Sequence, residues 1–255
     1  MEALCKGLDL SKWNGNVDFN KVKQDGYSFV ILRAGYRQTQ DPKFEQYYYD
    51  ATSAGLMVGA YWFTYANTVA GAENEAKACI EYIRGKKFDY PIYYDLEDDP
   101  SQNSYPLKTG KTNCSAMVDI FCKTLQNAGY WAGLYTSKSV LETHITPEVA
   151  NKYAMWVAQW SNKCTYAGQY GMWQCTDRGV ASGIKGNVDI DVAYVNYPSL
   201  IREKGLNGYS KSTPTTPAKG KTFYRVYIDK EFNTEDDALM VACLINGKVS
   251  KVTRS

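Results

Sequence analysis

Along residues 1–206, short apolar, β-branched or aromatic runs alternate with longer stretches of helical periodicity. The runs at 7–10, 28–33, 57–63, 91–97, 131–135, 155–158, 171–174 and 188–192 predict eight strands. Between them, 44–55 predicts a helix closing at Gly55, a residue suited to a left-handed C-cap. A second helix is expected over 72–84, where Ala, Glu and Lys favour the helical state. A third is expected over 115–128, with Met117, Val118, Phe121 and Leu125 on one face before Gly129. Strand–helix–strand repetition implies a parallel sheet, and eight strands in this length imply a closed barrel. The connections among the last three strands are too short for full helices. The expected fold class is therefore α/β, an irregular TIM-like barrel that is helical through its first five units only.

The pattern then stops. Residues 207–221 read NGYSKSTPTTPAKGK, a Ser/Thr/Pro linker made semi-extended by its prolines. Beyond it, 222–255 predicts a small C-terminal α+β module: a strand over 223–228, a helix opening at Asn233-Thr234-Glu235 and continuing through 238–245, a turn at Asn246-Gly247, and a strand over 248–253. A unit of this size buries too little to be stable alone, so it is expected to pair with a copy of itself, to pack on the barrel, or to be marginal.

Composition refines this picture at a few points. With 255 residues, 22% charged and 44% apolar, the chain needs no disulfide or metal staple. The 22 Tyr and 6 Trp are unusual; they suit sugar stacking, and equally a Tyr-rich barrel core. A net charge of +2 with interspersed signs is no nucleic-acid footprint. No apolar run reaches the ~18 residues of a membrane span. The first residues, Met1-Glu2-Ala3-Leu4-Cys5-Lys6-Gly7, carry no basic region followed by an apolar stretch, so no signal peptide is read and synthesis in a host cytoplasm is expected. Seven cysteines (5, 79, 114, 122, 164, 175 and 243) include no Cys-x-x-Cys pair, which argues against zinc and thioredoxin-like chemistry and for scattered reduced thiols. The single histidine, His144, has no cysteine beside it in sequence for a nucleophile pair. No cofactor and no metal is called for.

The candidate chemistry is carboxylate chemistry. Asp95 and Glu97 stand two apart on a strand pattern, so their side chains share a face with α-carbons ~6–7 Å apart. The run then breaks at Asp98-Asp99-Pro100, which reads as a solvated acidic turn. In a parallel barrel the carboxyl ends of the strands form the active face. Two carboxyls converging there suit glycoside hydrolysis, one as proton donor and one ionised. Mutual repulsion would raise the pKa of one of them. Asp9 closes the first predicted strand, and Asp189 and Asp191 alternate on the last. First and last strands are neighbours in a closed barrel, so Asp9, Asp95, Glu97 and Asp189 are expected to ring one mouth. Such a ring also suits calcium or magnesium.

Seven separated blocks, in order, carry a resemblance. They are Gly7-Leu8-Asp9-Leu10-Ser11 with Asn14-Gly15; Phe29-Val30-Ile31-Leu32-Arg33-Ala34-Gly35; Gly55-Leu56 with Val58-Gly59-Ala60-Tyr61-Trp62-Phe63; Tyr94-Asp95-Leu96-Glu97; Trp156-Val157-Ala158-Gln159-Trp160; Trp173-Gln174; and Val188-Asp189-Ile190-Asp191. Over about residues 5–200 the chain resembles glycoside hydrolase family 25, the Chalaropsis-type lysozymes of phage endolysins and bacterial autolysins. The resemblance implies a (β/α)5(β)3 barrel and cleavage of the β-1,4 bond between N-acetylmuramic acid and N-acetylglucosamine. It implies Glu97 as general acid, Asp95 as its partner toward the substrate acetamido group, and Asp9 and Asp189 as supporting carboxylates. Tyr61 and Phe63 match the family's aromatic strand. Trp62 stands where the family often has histidine, on the side facing away from the cleft. Arg33, Tyr65, Tyr135, Gln159, Trp160, Gln174 and Asp191 are candidate sugar contacts, with a core role for the aromatics among them as an equal alternative. The expected partner is bacterial peptidoglycan, reached after release from the host. A glycan-binding barrel without catalysis, a bacterial autolysin, and a hydrolase of chitin-like polymers are the competing readings. The segment 224–252 resembles half of a SPOR-type peptidoglycan-binding domain, which implies wall binding or a homo-oligomer through 222–255.

Overall fold

A computed structural model describes residues 2–211. Its strands are β1 (Cys5–Leu10), β2 (Phe29–Tyr36), β3 (Thr39–Gln40), β4 (Met57–Phe63), β5 (Ile92–Asp95), β6 (Ala132–Ser137), β7 (Ala154–Ala158), β8 (Met172–Gly179) and β9 (Val188–Ala193). Its helices are α1 (Phe19–Gln24), α2 (Phe44–Ser53), α3 (Val69–Ile83), α4 (Lys111–Asn127), α5 (Lys138–His144), α6 (Pro147–Ala150) and α7 (Tyr197–Lys204). Eight strands form a ring in the order β1-β9-β8-β7-β6-β5-β4-β2, closed by the β1–β2 pairing; β3 is a short hairpin arm on the end of β2. The barrel strands β1, β2, β4, β5 and β6 are each followed by a helix, whereas β7, β8 and β9 succeed one another without one. This is the expected five-plus-three arrangement.

The expected all-parallel sheet needs one correction. β9 runs antiparallel to both of its neighbours, β1 and β8. The connection 180–187 is shorter than the dozen or so residues that a parallel crossover requires, so the chain can only turn back. The helices α1, α5, α6 and α7 are too short to show periodicity in the sequence. Three of them start at a side-chain cap instead: Asp18 accepts from Lys21 N, Ser137 from Val140 N and Asn196 from Ser199 N. Thr68 likewise accepts from Gly71 N, which moves the start of α3 upstream of the expected 72.

Strand alternation sorts the core into two layers. Leu8, Val30, Leu32, Val58, Ala60, Trp62, Ile92 and Tyr94 face outward and pack under α2, α3 and α4. Trp62 is fully buried there and stacks on Tyr82 of α3, on the side away from the cleft as expected. The opposite phase points into the barrel: Phe29, Ile31, Tyr61, Tyr90, Tyr93, Tyr135, Trp156 and Met172. Tyr61, Tyr90, Tyr93 and Tyr135 are thus barrel core. Their rings need room, and glycine supplies it; a Cβ on Gly133 would meet the Tyr93 ring at 2.7 Å. Cys79, Cys114 and Cys122 are buried among apolar neighbours in the outer layer.

The barrel floor is closed by α7, whose Tyr197 and Ile201 join the inner layer. Asn207 then locks the chain: its side chain accepts from Trp131 N at 2.7 Å and donates to Tyr90 O at 2.8 Å, and its carbonyl accepts from Phe88 N at 3.1 Å. The expected boundary between 206 and 207 therefore falls inside this anchor, and Asn207 belongs to the barrel. The rest of the linker reading beyond 211, and the module over 222–255, lie outside the described residues.

Candidate active site

Odd-numbered residues of β5 point inward, and that phase runs past the strand. Leu96 N still donates to Tyr135 O at 3.0 Å, so Glu97 leaves the ladder pointing the same way as Asp95. The expected strand over 91–97 is shorter as built, Ile92–Asp95, yet both carboxyls line one cleft of about 750 Å³. Asp9 and Asp189 line it too. They are direct partners in the β1–β9 register, and β9 delivers Asp189 from its amino end because it runs backwards. The four carboxylates expected around one mouth do meet there.

Their environment keeps protons on. Burial first, then Asp189 and Asp99, raise Glu97 to about 7, while a hydrogen bond with Asp95 opposes the rise. Burial, then Glu97, push Asp95 well above the ordinary carboxylate range, against the pull of Arg33. Burial, then Asp189 and Asp191, push Asp9 up. Burial, then Asp177, raise Asp189 to about 6. Carboxyls in contact in a poorly solvated site cannot all be ionised.

Polar side chains hold this cluster in place. Gln174 Nε2 donates to Asp9 Oδ2 at 2.8 Å, and its Oε1 accepts from Tyr135 Oη at 2.9 Å and from Trp160 Nε1 at 3.0 Å. Arg33 Nε donates to buried Asp41 Oδ2 at 2.7 Å. Arg33 Nη2 and Asp95 Oδ1 are buried without a hydrogen-bond partner among the described residues. These are a donor and an acceptor that a ligand in the cleft can satisfy. Among the described residues no group of three acidic, Cys or His side chains is placed to hold a metal ion.

Of the expected sugar contacts, Arg33, Tyr61, Phe63, Tyr65, Tyr135 and Gln174 line the cleft. Three do not. Gln159 accepts from Thr165 N at 2.8 Å and so holds its own loop. Asp191 is fully buried below the cleft and accepts from Trp156 Nε1 at 2.8 Å. The Trp160 ring is 60% exposed and borders a separate depression, touching the site only through Gln174.

Other cleft residues were not singled out from the sequence. Lys12, Trp13 and Asn14 follow β1, Tyr36 and Arg37 sit on the β2–β3 hairpin, and Trp156 stands on β7. An exposed tryptophan in a turn just beyond Asp9 was the available signal for Trp13, which is 79% exposed. Asp98 and Asp99, read as a solvated turn, also line the cleft; Asp98 accepts from Leu107 N at 3.0 Å and Asp99 from Tyr65 Oη at 2.7 Å.

Comparison with known proteins places the chain among sugar-cleaving barrels. Residues 8–184 match the family model of glycosyl hydrolases family 25. The autolytic lysozyme of Clostridium acetobutylicum is 28% identical over 188 residues, covering 73% of this chain and 55% of that protein. The crystal structure of the modular autolysin LytC from Streptococcus pneumoniae superposes with a TM-score of 0.69 at 29% identity, covering 74% of this chain and 46% of LytC. The lysozyme of Streptomyces coelicolor shares the fold, with a TM-score of 0.68 at 22% identity over 82% of this chain and 100% of that one. The chain thus spans about half the length of the clostridial lysozyme and of LytC.

Proposed function

Because the chain belongs to glycosyl hydrolase family 25, we propose that it is a muramidase, hydrolysing the β-1,4 bond between N-acetylmuramic acid and N-acetylglucosamine in bacterial peptidoglycan. The observation that carries this reading is the Asp95–Glu97 pair on the cleft floor, with Glu97 holding its proton up to about 7. Glu97 is the general acid: it gives that proton to the glycosidic oxygen as the bond to C1 breaks.

The two carboxyls stand two residues apart in one strand phase and open side by side into the cleft. This side-by-side placement fits neither a protein nucleophile opposite its acid at ~5–5.5 Å nor an acid and a base holding a water between them at ~6.5–9.5 Å. It supports a third course. The substrate's own acetamido oxygen attacks C1, forming an oxazolinium ion, while Asp95 accepts the acetamido N–H and stabilises the charge. Water then attacks C1 and loses its proton to Glu97, opening the ring with net retention. Asp189, raised only to about 6, adds negative charge near the developing cation once ionised, and Asp9 stands beside it.

The test is reducing-end analysis of digested purified walls. New reducing ends at muramic acid, lost in Glu97→Gln, support the reading. Reducing ends at glucosamine, no release at all, or an equally active Glu97→Gln would sink it.

We assign residues 222–255 to wall binding or self-association, on their sequence alone. Removing residues beyond 211 should weaken sedimentation with purified walls or halve the mass in solution; if neither changes, the assignment is wrong.

A further inference from the structure

The cleft has two chemically different sides. Its floor is acidic, and one rim is cationic: Lys12 on the turn after β1 and Arg37 at the tip of the β2–β3 hairpin. Aromatic rings hold both cations. Lys12 Nζ lies 4.8 Å from the Trp13 ring centre and 5.3 Å from that of Tyr36. The Arg37 guanidinium lies 4.2 Å from the Tyr65 ring centre, and the Tyr36 and Tyr65 rings meet edge to face at 6.2 Å. A strip of rings and cations, in the order Trp13, Lys12, Tyr36, Tyr65 and Arg37, therefore runs along one edge of the mouth. Arg33, deeper in the cleft, pairs through Nε with Asp41. Among the described residues neither Lys12 nor Arg37 closes an ion pair.

Arg37 has a second peculiarity. Its φ is +54°, the left-handed region that favours glycine, and it occupies a tight hairpin turn. Backbone strain of this kind tends to persist where the side chain has work at a site. Here the strained position puts a guanidinium at the mouth.

We propose that Lys12 and Arg37 form a carboxylate-reading rim that selects glycan strands bearing an anionic substituent on the muramoyl sugar. The proposal rests on the muramidase reading and names the part of the substrate that reading leaves unassigned. The floor's carboxyls suit hydroxyls and an acetamide as hydrogen-bond partners, and the cation nearest them, Arg33, already pairs with Asp41. The lactyl ether of muramic acid projects from the ring and ends either in its own carboxylate or in a peptide with carboxylates of its own. Either is held off the floor and against the cationic edge. A chitin strand has no such group and gains nothing from the rim.

The experiment measures binding, so that it does not depend on turnover. In a Glu97→Gln parent, dissociation constants are measured for muramoyl glycan fragments that either bear stem peptides or have been stripped of them by an amidase. Each kind is tested with its carboxylates free and after carbodiimide amidation with ethanolamine. The parent should bind free-carboxylate fragments about tenfold more tightly than amidated ones, and less so at high salt. The stripped or the peptide-bearing arm, whichever discriminates, identifies the source of the anion. Adding Lys12→Gln and Arg37→Gly should bring the ratio to within about twofold. Glycine relieves the strain at φ +54°, so an unchanged or raised Tm separates lost recognition from lost fold. A parent that does not discriminate, or discrimination that survives the double change, overturns the proposal. Reducing-end release by the chain with Glu97 intact tests the muramidase reading separately.

Discussion

Gln174 and Asp9 are hydrogen-bonded at 2.8 Å between β8 and β1, two strands that flank β9 on either side. The amide orientation follows from its partners, since Oε1 accepts from Tyr135 and Trp160 and only Nε2 is left to donate. Asp9 is held where it faces Asp189 without meeting a free cation. Gln174→Leu keeps the volume and removes all three bonds. Buried donors left unpaired cost about 1–3 kcal/mol each. We expect a loss of roughly 2–4 kcal/mol in urea unfolding and a fall in kcat/KM. An unchanged unfolding midpoint would mean that water replaces the amide.

Glu97→Gln keeps the shape of the proton donor and removes the proton. General acid catalysis is worth about 10²–10⁴-fold, so kcat should fall by at least that range while binding persists. In the unsubstituted chain, activity should decline as pH rises through about 7, where Glu97 deprotonates. A rate that is level from pH 6 to 9 would remove Glu97 from the acid role.

Stability should follow the same group with a definite sign. Glu97 and buried Glu75 are raised from 4.5 to about 7, and Asp189 from 3.8 to about 6. A raised carboxyl contributes its full stability below its unfolded pKa. That contribution is lost as pH climbs through the folded value, because the unfolded chain releases the proton first. The unfolding midpoint should therefore fall as pH rises from about 4 to about 7. Glu97→Gln cannot ionise, so it should be more stable than the parent at pH 8 by about 1–3 kcal/mol and match it near pH 4.5. Parallel curves for the two proteins would assign the slope elsewhere.

Asp41 is buried and serves three groups: Arg33 Nε at 2.7 Å, Lys43 N at 2.9 Å and Lys12 N at 3.2 Å. Asp41→Asn leaves Arg33 buried without its counter-charge, which costs about 3–5 kcal/mol. It also frees the turn that carries Lys12 and Trp13. Calorimetry should show the drop in Tm. A change within error would mean that Arg33 finds another partner in the cleft.

Relative to a chain ending at Lys211, truncation after Leu206 removes the Asn207 bonds to Trp131 and Tyr90 and should lower the barrel's stability by about 2–4 kcal/mol. Equal midpoints would return the boundary to 206.

Period-two alternation in the sequence determined which side of each strand faces inward. Asp9, Arg33, Tyr61, Asp95 and Glu97 were therefore legible as barrel-facing, and the missing helices after the sixth parallel strand were legible from connection length. Local pattern does not carry chain direction or long-range register. That β9 runs antiparallel, and so sets Asp189 directly beside Asp9, depends on a pairing between residues 180 positions apart. The same limit hid the cationic edge. Nothing in the local pattern marks Lys12 or Arg37, and only closure of the barrel through β1 and β2 brings them along one rim. It also misplaced Asn207, whose neighbours Gly and Ser read as linker; the side chain acquires its role from Trp131 and Tyr90, which only the fold brings within reach.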